Sequence, residues 1–195
     1  MKRPHGGLRI IGGALRGRRW PVPEVTGLRP TPDRVRETLF NWLAPHITGM
    51  RVLDLFAGSG ALGFEALSRG AITATLVEQD RRAQAVLRDT VQRFGLSQAR
   101  IEACEALAFL RNQPAGAWNL ILLDPPFNSG LLEPALRIID QRRVLAAGGF
   151  CYVELSAGAE LPPLPAGWTV HRTGKAGEVG YHLLHATPSD VSGDI

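Results

Sequence analysis

The sequence predicts an α/β fold: a Rossmann-like, mostly parallel seven-stranded sheet with helices on both faces and an antiparallel hairpin at its C-terminal edge. Three observations lead there. Five near-continuous apolar runs of strand length, "RVLDLF", "TATLVE", "ARIEAC", "WNLILLD" and "GGFCYVEL", alternate from Arg51 onward with segments of helical period. Strands that are apolar throughout, rather than on alternate residues, belong to a parallel sheet covered on both sides. The first of these strands runs into a glycine loop and a helix, "GSGALGFEAL". Near the end, "WTVHRTGK" and "VGYHLLHA" flank the short turn "AGE", the pattern of a hairpin.

Taken in order, residues 1–30 are rich in Gly, Pro and Arg and read as a basic arm with short β-like pieces, not an independent domain. Residues 31–186 form the α/β domain, and residues 187–195 a frayed polar tail. In "TPDRVRETLFNWLA" Thr31 can cap a helix, Pro32 suits its first turn and Asp33 complements its dipole. Val35, Leu39, Trp42 and Leu43 recur at helical spacing, so one face is buried. Further helices are expected at "ALGFEALSRG", "RRAQAVLRDTVQRFG", "EALAFLRN" and "LLEPALRIIDQ", each following a strand. The Pro-rich "LPPLPAG" links the last parallel strand to the hairpin.

Charge is distributed unevenly. The chain carries +4 overall, but residues 1–36 alone carry +7, which leaves −3 for the rest. A basic front on a mildly acidic body points to a polyanion contact at the front. Arg16, Arg18, Arg19, Arg34 and Arg36 are the candidate phosphate contacts. Two cysteines, Cys104 and Cys151, both inside strand-like runs, exclude a disulfide framework and read as buried thiols. Neither they nor the scattered histidines His5, His46, His171, His182 and His185 have metal-site spacing, so no metal is expected. There is no signal-peptide core and no membrane-length apolar window, and the chain reads as a cytoplasmic monomer.

The glycine loop admits two cofactors. From Gly58 it reads G-S-G-A-L-G, the dinucleotide fingerprint; from Asp54 it reads D-L-F-A-G-S-G, the loop of an S-adenosylmethionine (SAM) methyltransferase. SAM has no phosphate and is cationic at its ammonium and sulfonium, so an acid at the loop entry, Asp54, suits it and disfavours a pyrophosphate. Asp54, Phe56, Ala57, Gly58, Ser59 and Gly60 are the candidate loop contacts, and Glu78, ending the second strand, can take the ribose hydroxyls of either cofactor. Asp124-Pro125-Pro126-Phe127 closes the fourth strand. Two prolines cannot continue a ladder, because neither has an N–H to donate. An acid, a rigid carbonyl and an aromatic ring beside the cofactor suit methylation of an exocyclic amine. Asp124 and the Pro125 carbonyl can accept the two amine hydrogens and aim the lone pair, and Phe127 can stack on a flipped base.

The full set of motifs, "LRIIGGALRGRRWPVP", "LRPTPDRVRETLFNWLAP", "VLDLFAGSGALGFEALSRGA", "LLDPPF", "YVE" and "KAGEVGYHLL", resembles the bacterial 16S rRNA (guanine-N2)-methyltransferase family known as RsmD. The resemblance covers nearly the whole chain. It implies a SAM-dependent methyltransferase domain, methyl transfer from SAM to the N2 amine of one guanine in 16S rRNA, and the small ribosomal subunit as partner. It places Asp54–Gly60 and Glu78 on the cofactor and Asp124–Phe127 at the reaction. Glu105 and the backbone of Ala106 fall near the adenine, and Arg29–Thr31 help close the pocket. Competing readings are an N6-adenine methyltransferase on RNA or DNA, a glutamine-N5 methyltransferase of a protein, a non-catalytic ribosome-assembly factor that binds RNA, and an NAD oxidoreductase.

Overall fold

The computed structural model describes residues 7–127 and 129–187. Lys2, Arg3, His5 and, Thr187 apart, the expected tail lie outside the described residues. The chain opens with two short antiparallel strands, β1 (Leu8–Arg9) and β2 (Arg19–Trp20), and reaches helix α1 (Asp33–Leu43). Four β/α units and a closing strand follow. They run β3 (Arg51–Asp54), α2 (Ala61–Ser68), β4 (Thr73–Val77), α3 (Arg81–Phe94), β5 (Ala99–Glu102), α4 (Ala106–Arg111), β6 (Trp118–Leu123), α5 (Leu132–Gln141) and β7 (Leu145–Ser156). The hairpin β8 (Trp168–Ala176) and β9 (Val179–Ala186) completes the chain.

The main sheet has seven strands in the order β5-β4-β3-β6-β7-β9-β8. The first five in that order are parallel; β9 runs antiparallel to both β7 and β8. This is the expected architecture. Side chains alternate across the sheet with the period of two that a strand imposes. Val52, Leu76, Leu120, Tyr152 and Leu183 pack on one face with Leu39 of α1, Phe64 of α2 and Leu87 of α3. Leu53, Val77, Ile121, Val153 and Leu184 pack on the other with Leu110 of α4 and Ile139 of α5.

Two local expectations change. The first apolar run extends through Phe56, but pairing of β3 stops at Asp54, where the chain turns away from the sheet. The start of α1 also differs: Pro32 occupies the cap position without a side-chain bond, and the Thr31 hydroxyl donates instead to Asp124, 93 residues away. What positions the site is the reversal of strand order between β3 and β6. There, the loops leaving the two carboxyl ends diverge to opposite faces and open a crevice, the usual ligand position in a doubly wound sheet.

Candidate active site

The crevice has a volume of about 670 Å³ and is walled by the turns after β3, β4, β5 and β6 and by residues 25–31 of the arm. Its floor is the glycine loop. Gly58 and Gly60 both have positive φ, 51° and 76°, and a Cβ on Gly60 would lie 2.6 Å from both Leu87 and Phe64. Only glycine lets the loop turn into α2 at this distance from the helices below. Gly63, the last glycine of the fingerprint, donates its N–H to Asp54 Oδ2 at 2.9 Å. A carboxylate therefore already sits on one of the N-terminal amides of α2, where a dinucleotide site would receive pyrophosphate.

Asp54 is buried, and burial pushes its carboxyl up to about 7; the Gly63 amide offsets part of this, and the charges of Asp124 and Glu78 add to it. Glu78 spans the crevice edge, with Oε2 accepting from Gly58 N–H at 2.8 Å and Oε1 from Asp80 N–H at 2.7 Å. It thus fixes the glycine loop against the end of β4 while each oxygen keeps a second lone pair free. The described residues lining the crevice include five acids, Asp54, Glu78, Asp80, Glu105 and Asp124, against one cation, Arg29. The cavity is built for a cationic ligand.

Asp124 leaves the end of β6, adjacent to β3, where Asp54 pairs in register with Leu122. Two carboxylates 70 positions apart in sequence thereby meet at one end of the sheet. Burial raises the Asp124 carboxyl to about 6, with the Thr31 hydroxyl bond at 3.2 Å pulling the other way. Pro125 is buried and Pro126 exposed. Phe127 is 45% exposed, a large apolar ring left open to solvent at the crevice mouth. The ring also borders a second concavity, of about 440 Å³, formed with Ser156, Ala157, Gly158, Gly177 and Glu178.

The sequence-predicted residues divide into three groups. Asp54, Phe56, Ala57, Gly58, Ser59, Glu78, Glu105, Ala106 and Asp124–Phe127 all line the crevice, whereas Gly60 faces Leu87 and Phe64 beneath it. Glu105 lines it with its carboxylate committed elsewhere, capping α4 through the amides of Leu107 and Ala108 at 2.8 and 2.7 Å. Arg16, Arg18, Arg19 and Arg34 are exposed. Arg36 is a correction: it is fully buried, donating to the carbonyls of Thr31 and Arg9 and paired with Glu65 and Asp33, so it has no surface to offer a phosphate. Cys104 also departs from the expected buried strand thiol, since it lies beyond β5, half-buried and lining the crevice. Three histidines that look scattered in sequence, His46, His171 and His185, stand around the Phe150 ring at 4.9, 5.6 and 4.9 Å. Among the described residues no group of three or more His, Cys, Asp or Glu is arranged to hold a metal.

Residues 8–185 match the model of a family described as conserved hypothetical protein 95. The chain belongs to that family, the RsmD family. It is 48% identical over 187 residues to ribosomal RNA small subunit methyltransferase D of Escherichia coli (strain K12), covering 94% of each chain. It is 42% identical over 183 residues to the protein of that name in Haemophilus influenzae, covering 91% of this chain and 93% of the other. The solved structure of the E. coli protein yhhF superposes with a TM-score of 0.84 at 46% identity, over 94% of this chain and 99% of that one.

What sequence reasoning missed in this RsmD-family chain is mostly in the arm. Trp20 is buried and its indole N–H donates to the Ser59 carbonyl at 2.8 Å, tying the arm to the glycine loop. Val25–Leu28 extend the wall that Arg29–Thr31 were expected to provide, and Thr31 touches Asp124 directly. For Trp20 and Val25–Leu28 the signal was compositional: a tryptophan and several prolines are unusual in a merely solvated basic tail.

Proposed function

We propose that this protein transfers a methyl group from SAM to the N2 exocyclic amine of a guanine in 16S rRNA of the small ribosomal subunit. The observation that carries the reading is the convergence of Asp124, Pro125 and Phe127 on an acid-lined crevice whose helix N-terminus is already occupied by Asp54. The residues present fit SAM: Asp54 suits its cationic amino-acid end, Glu78 has lone pairs for ribose hydroxyls, and Cys104 to Ala106 border the space for the adenine. The small-subunit rRNA assignment follows the names of the relatives at 48% and 42% identity.

The chain's own residues then do the following. Phe127 stacks on the flipped base at the boundary of the two cavities, a contact worth about 1–3 kcal/mol. The Asp124 carboxylate and the Pro125 carbonyl accept the two hydrogens of the amine and turn its lone pair toward the methyl carbon. Bound SAM would supply that carbon on a sulfonium, whose sulfur can keep the C–S electron pair as the nitrogen lone pair forms the new bond. Asp124 receives the proton that the methylated nitrogen sheds. The gain comes chiefly from orientation and fixed charge. In the second concavity the one ionisable side chain among the described residues is Glu178. An acceptor there suits the N1–H beside the N2 amine of guanine and opposes adenine, whose N1 is itself an acceptor.

The test is labelled-methyl transfer to small subunits lacking the modification, followed by mass analysis of the nucleosides. N2-methylguanosine is the expected product, and N6-methyladenosine would overturn the guanine assignment. Asp124→Ala is expected to abolish transfer while SAM still raises the melting temperature. Because Asp124 must be ionised and its carboxyl sits at about 6, kcat is expected to fall as pH drops through 6.

A further inference from the structure

We infer that Glu154 is a positioning residue for methyl transfer: it holds the Thr31 hydroxyl in the orientation that fixes Asp124. This inference rests on the role given to Asp124 above. Register puts the two acids together. Leu122 pairs with Tyr152 and Leu123 with Val153 along the parallel strands β6 and β7, so Asp124, just past the end of β6, and Glu154 follow at the next register position. By the alternation of a strand they lie on the same face as Leu122 and Tyr152.

Glu154 is 3% exposed, and its carboxylate accepts the Tyr152 hydroxyl at 2.8 Å. The groups that face it are Tyr152 on its own strand, Asp124 just past β6, Asp54 on β3 and Thr31 from the arm; Tyr181 on β9, its register partner, acts on Tyr152. None is a cation. A buried carboxylate among acids and hydroxyls keeps its proton, and burial, followed by the charge of Asp124, pushes this one well above the usual carboxylate range.

The consequence lies in Thr31. Its hydroxyl has a single hydrogen, which it donates to Asp124 Oδ2. Glu154 stands beside Asp124 at the next register position, so both acids compete for that hydrogen. With Glu154 protonated the competition ends. Glu154 donates to Thr31 Oγ1, Thr31 donates to Asp124 Oδ2, and Asp124 Oδ1 stays free for the amine. An ionised Glu154 would draw the hydroxyl to itself and leave Asp124 unheld beside a second negative charge.

The experiment measures kcat, KM for SAM and SAM affinity for Glu154→Gln, Glu154→Leu and Tyr152→Phe on unmethylated small subunits from pH 6 to 9, with Asp124→Ala as control. Glu154→Leu is expected to lower kcat about tenfold or more, the scale of one lost hydrogen bond in a chain ending on a charged group, with SAM affinity within about twofold of wild type. Glu154→Gln, whose amide can donate to Thr31 and accept from Tyr152, is expected to restore most of that kcat. It is also expected to abolish the alkaline decline that ionisation of Glu154 gives the wild type, whereas Tyr152→Phe keeps that decline. Wild-type kcat and pH profile in Glu154→Leu would overturn the inference, as would a Glu154→Gln enzyme that binds SAM normally but is as slow as the leucine variant. Should Glu154→Leu not fold, the comparison of Glu154→Gln with Tyr152→Phe decides, and an unchanged alkaline limb in Glu154→Gln overturns it. Full turnover by Asp124→Ala would overturn the proposed function itself; an inert Asp124→Ala beside a fully active Glu154→Leu overturns only this inference.

Discussion

Asp54 illustrates how one side chain couples cofactor choice to stability. Its carboxyl moves from 3.8 to about 7 on folding, because the crevice removes it from water and returns a single amide bond. The folded chain therefore binds this proton more tightly than the unfolded chain. Stability from the group is complete below the unfolded value and is lost as pH rises through 7, by up to roughly 4 kcal/mol from the size of the shift. Asp54→Asn keeps an acceptor for Gly63 and removes the titration. In thermal melts without ligand it is expected to be more stable than wild type at pH 8, with the gap closing toward pH 5. SAM, whose positive charges suit the ionised form, is expected to offset the wild-type loss at pH 8, while binding to Asp54→Asn falls about tenfold or more. Parallel melting curves for the two proteins at both pH values would refute this account of the residue.

At the scale of elements, α2 is the joint between the arm and the sheet. Glu65, in its middle, is fully buried, accepts the amides of Ile11 and Gly12 at 2.9 and 2.8 Å, and pairs with Arg36 and Arg69. Removing one partner from such a buried cluster leaves uncompensated charge, and Glu65→Ala is expected to cost about 3–5 kcal/mol, read as a drop in the urea midpoint. The same joint marks the boundary of what the sequence discloses. The β/α alternation, the hairpin and the glycine loop follow from local periodicity and turn chemistry, so Arg51 through Ala186 could be read almost element by element. The acid at the end of β6 was legible because two prolines mark it. The arm was not: Ile11 to Glu65, Trp20 to Ser59 and Thr31 to Asp124 are 54, 39 and 93 residues apart, and no window of local pattern spans them. Arg36 was misread for the same reason, since a charge count carries no information about burial. Thr31 has the right chemistry for a helix cap, and a tertiary partner won its hydroxyl.

Across the whole molecule the two charge patterns divide the work. An acid-lined crevice repels phosphate, so an RNA backbone entering it would be opposed, while an exposed basic arm attracts the same backbone. On the proposed function, the RNA is held outside the crevice and only an unpaired base passes Phe127. Among the described residues, Arg16, Arg18, Arg19 and Arg34 are the exposed arginines put forward for that hold, and Arg18 is already partly engaged with the carbonyl and ring of Phe94. Each phosphate neutralised releases condensed counterions, so binding weakens linearly with the logarithm of salt concentration. Replacing all four with Gln is expected to lower affinity for the small subunit and to flatten the salt slope by up to about 3, at roughly 0.7–0.9 per phosphate. SAM binding is expected to be unchanged, because none of the four lines the crevice. Titration of subunit binding between about 50 and 200 mM salt makes the measurement. An unaltered slope would place the phosphate contacts elsewhere, and a lost response to SAM would mean that the arm holds the cofactor site together rather than the RNA.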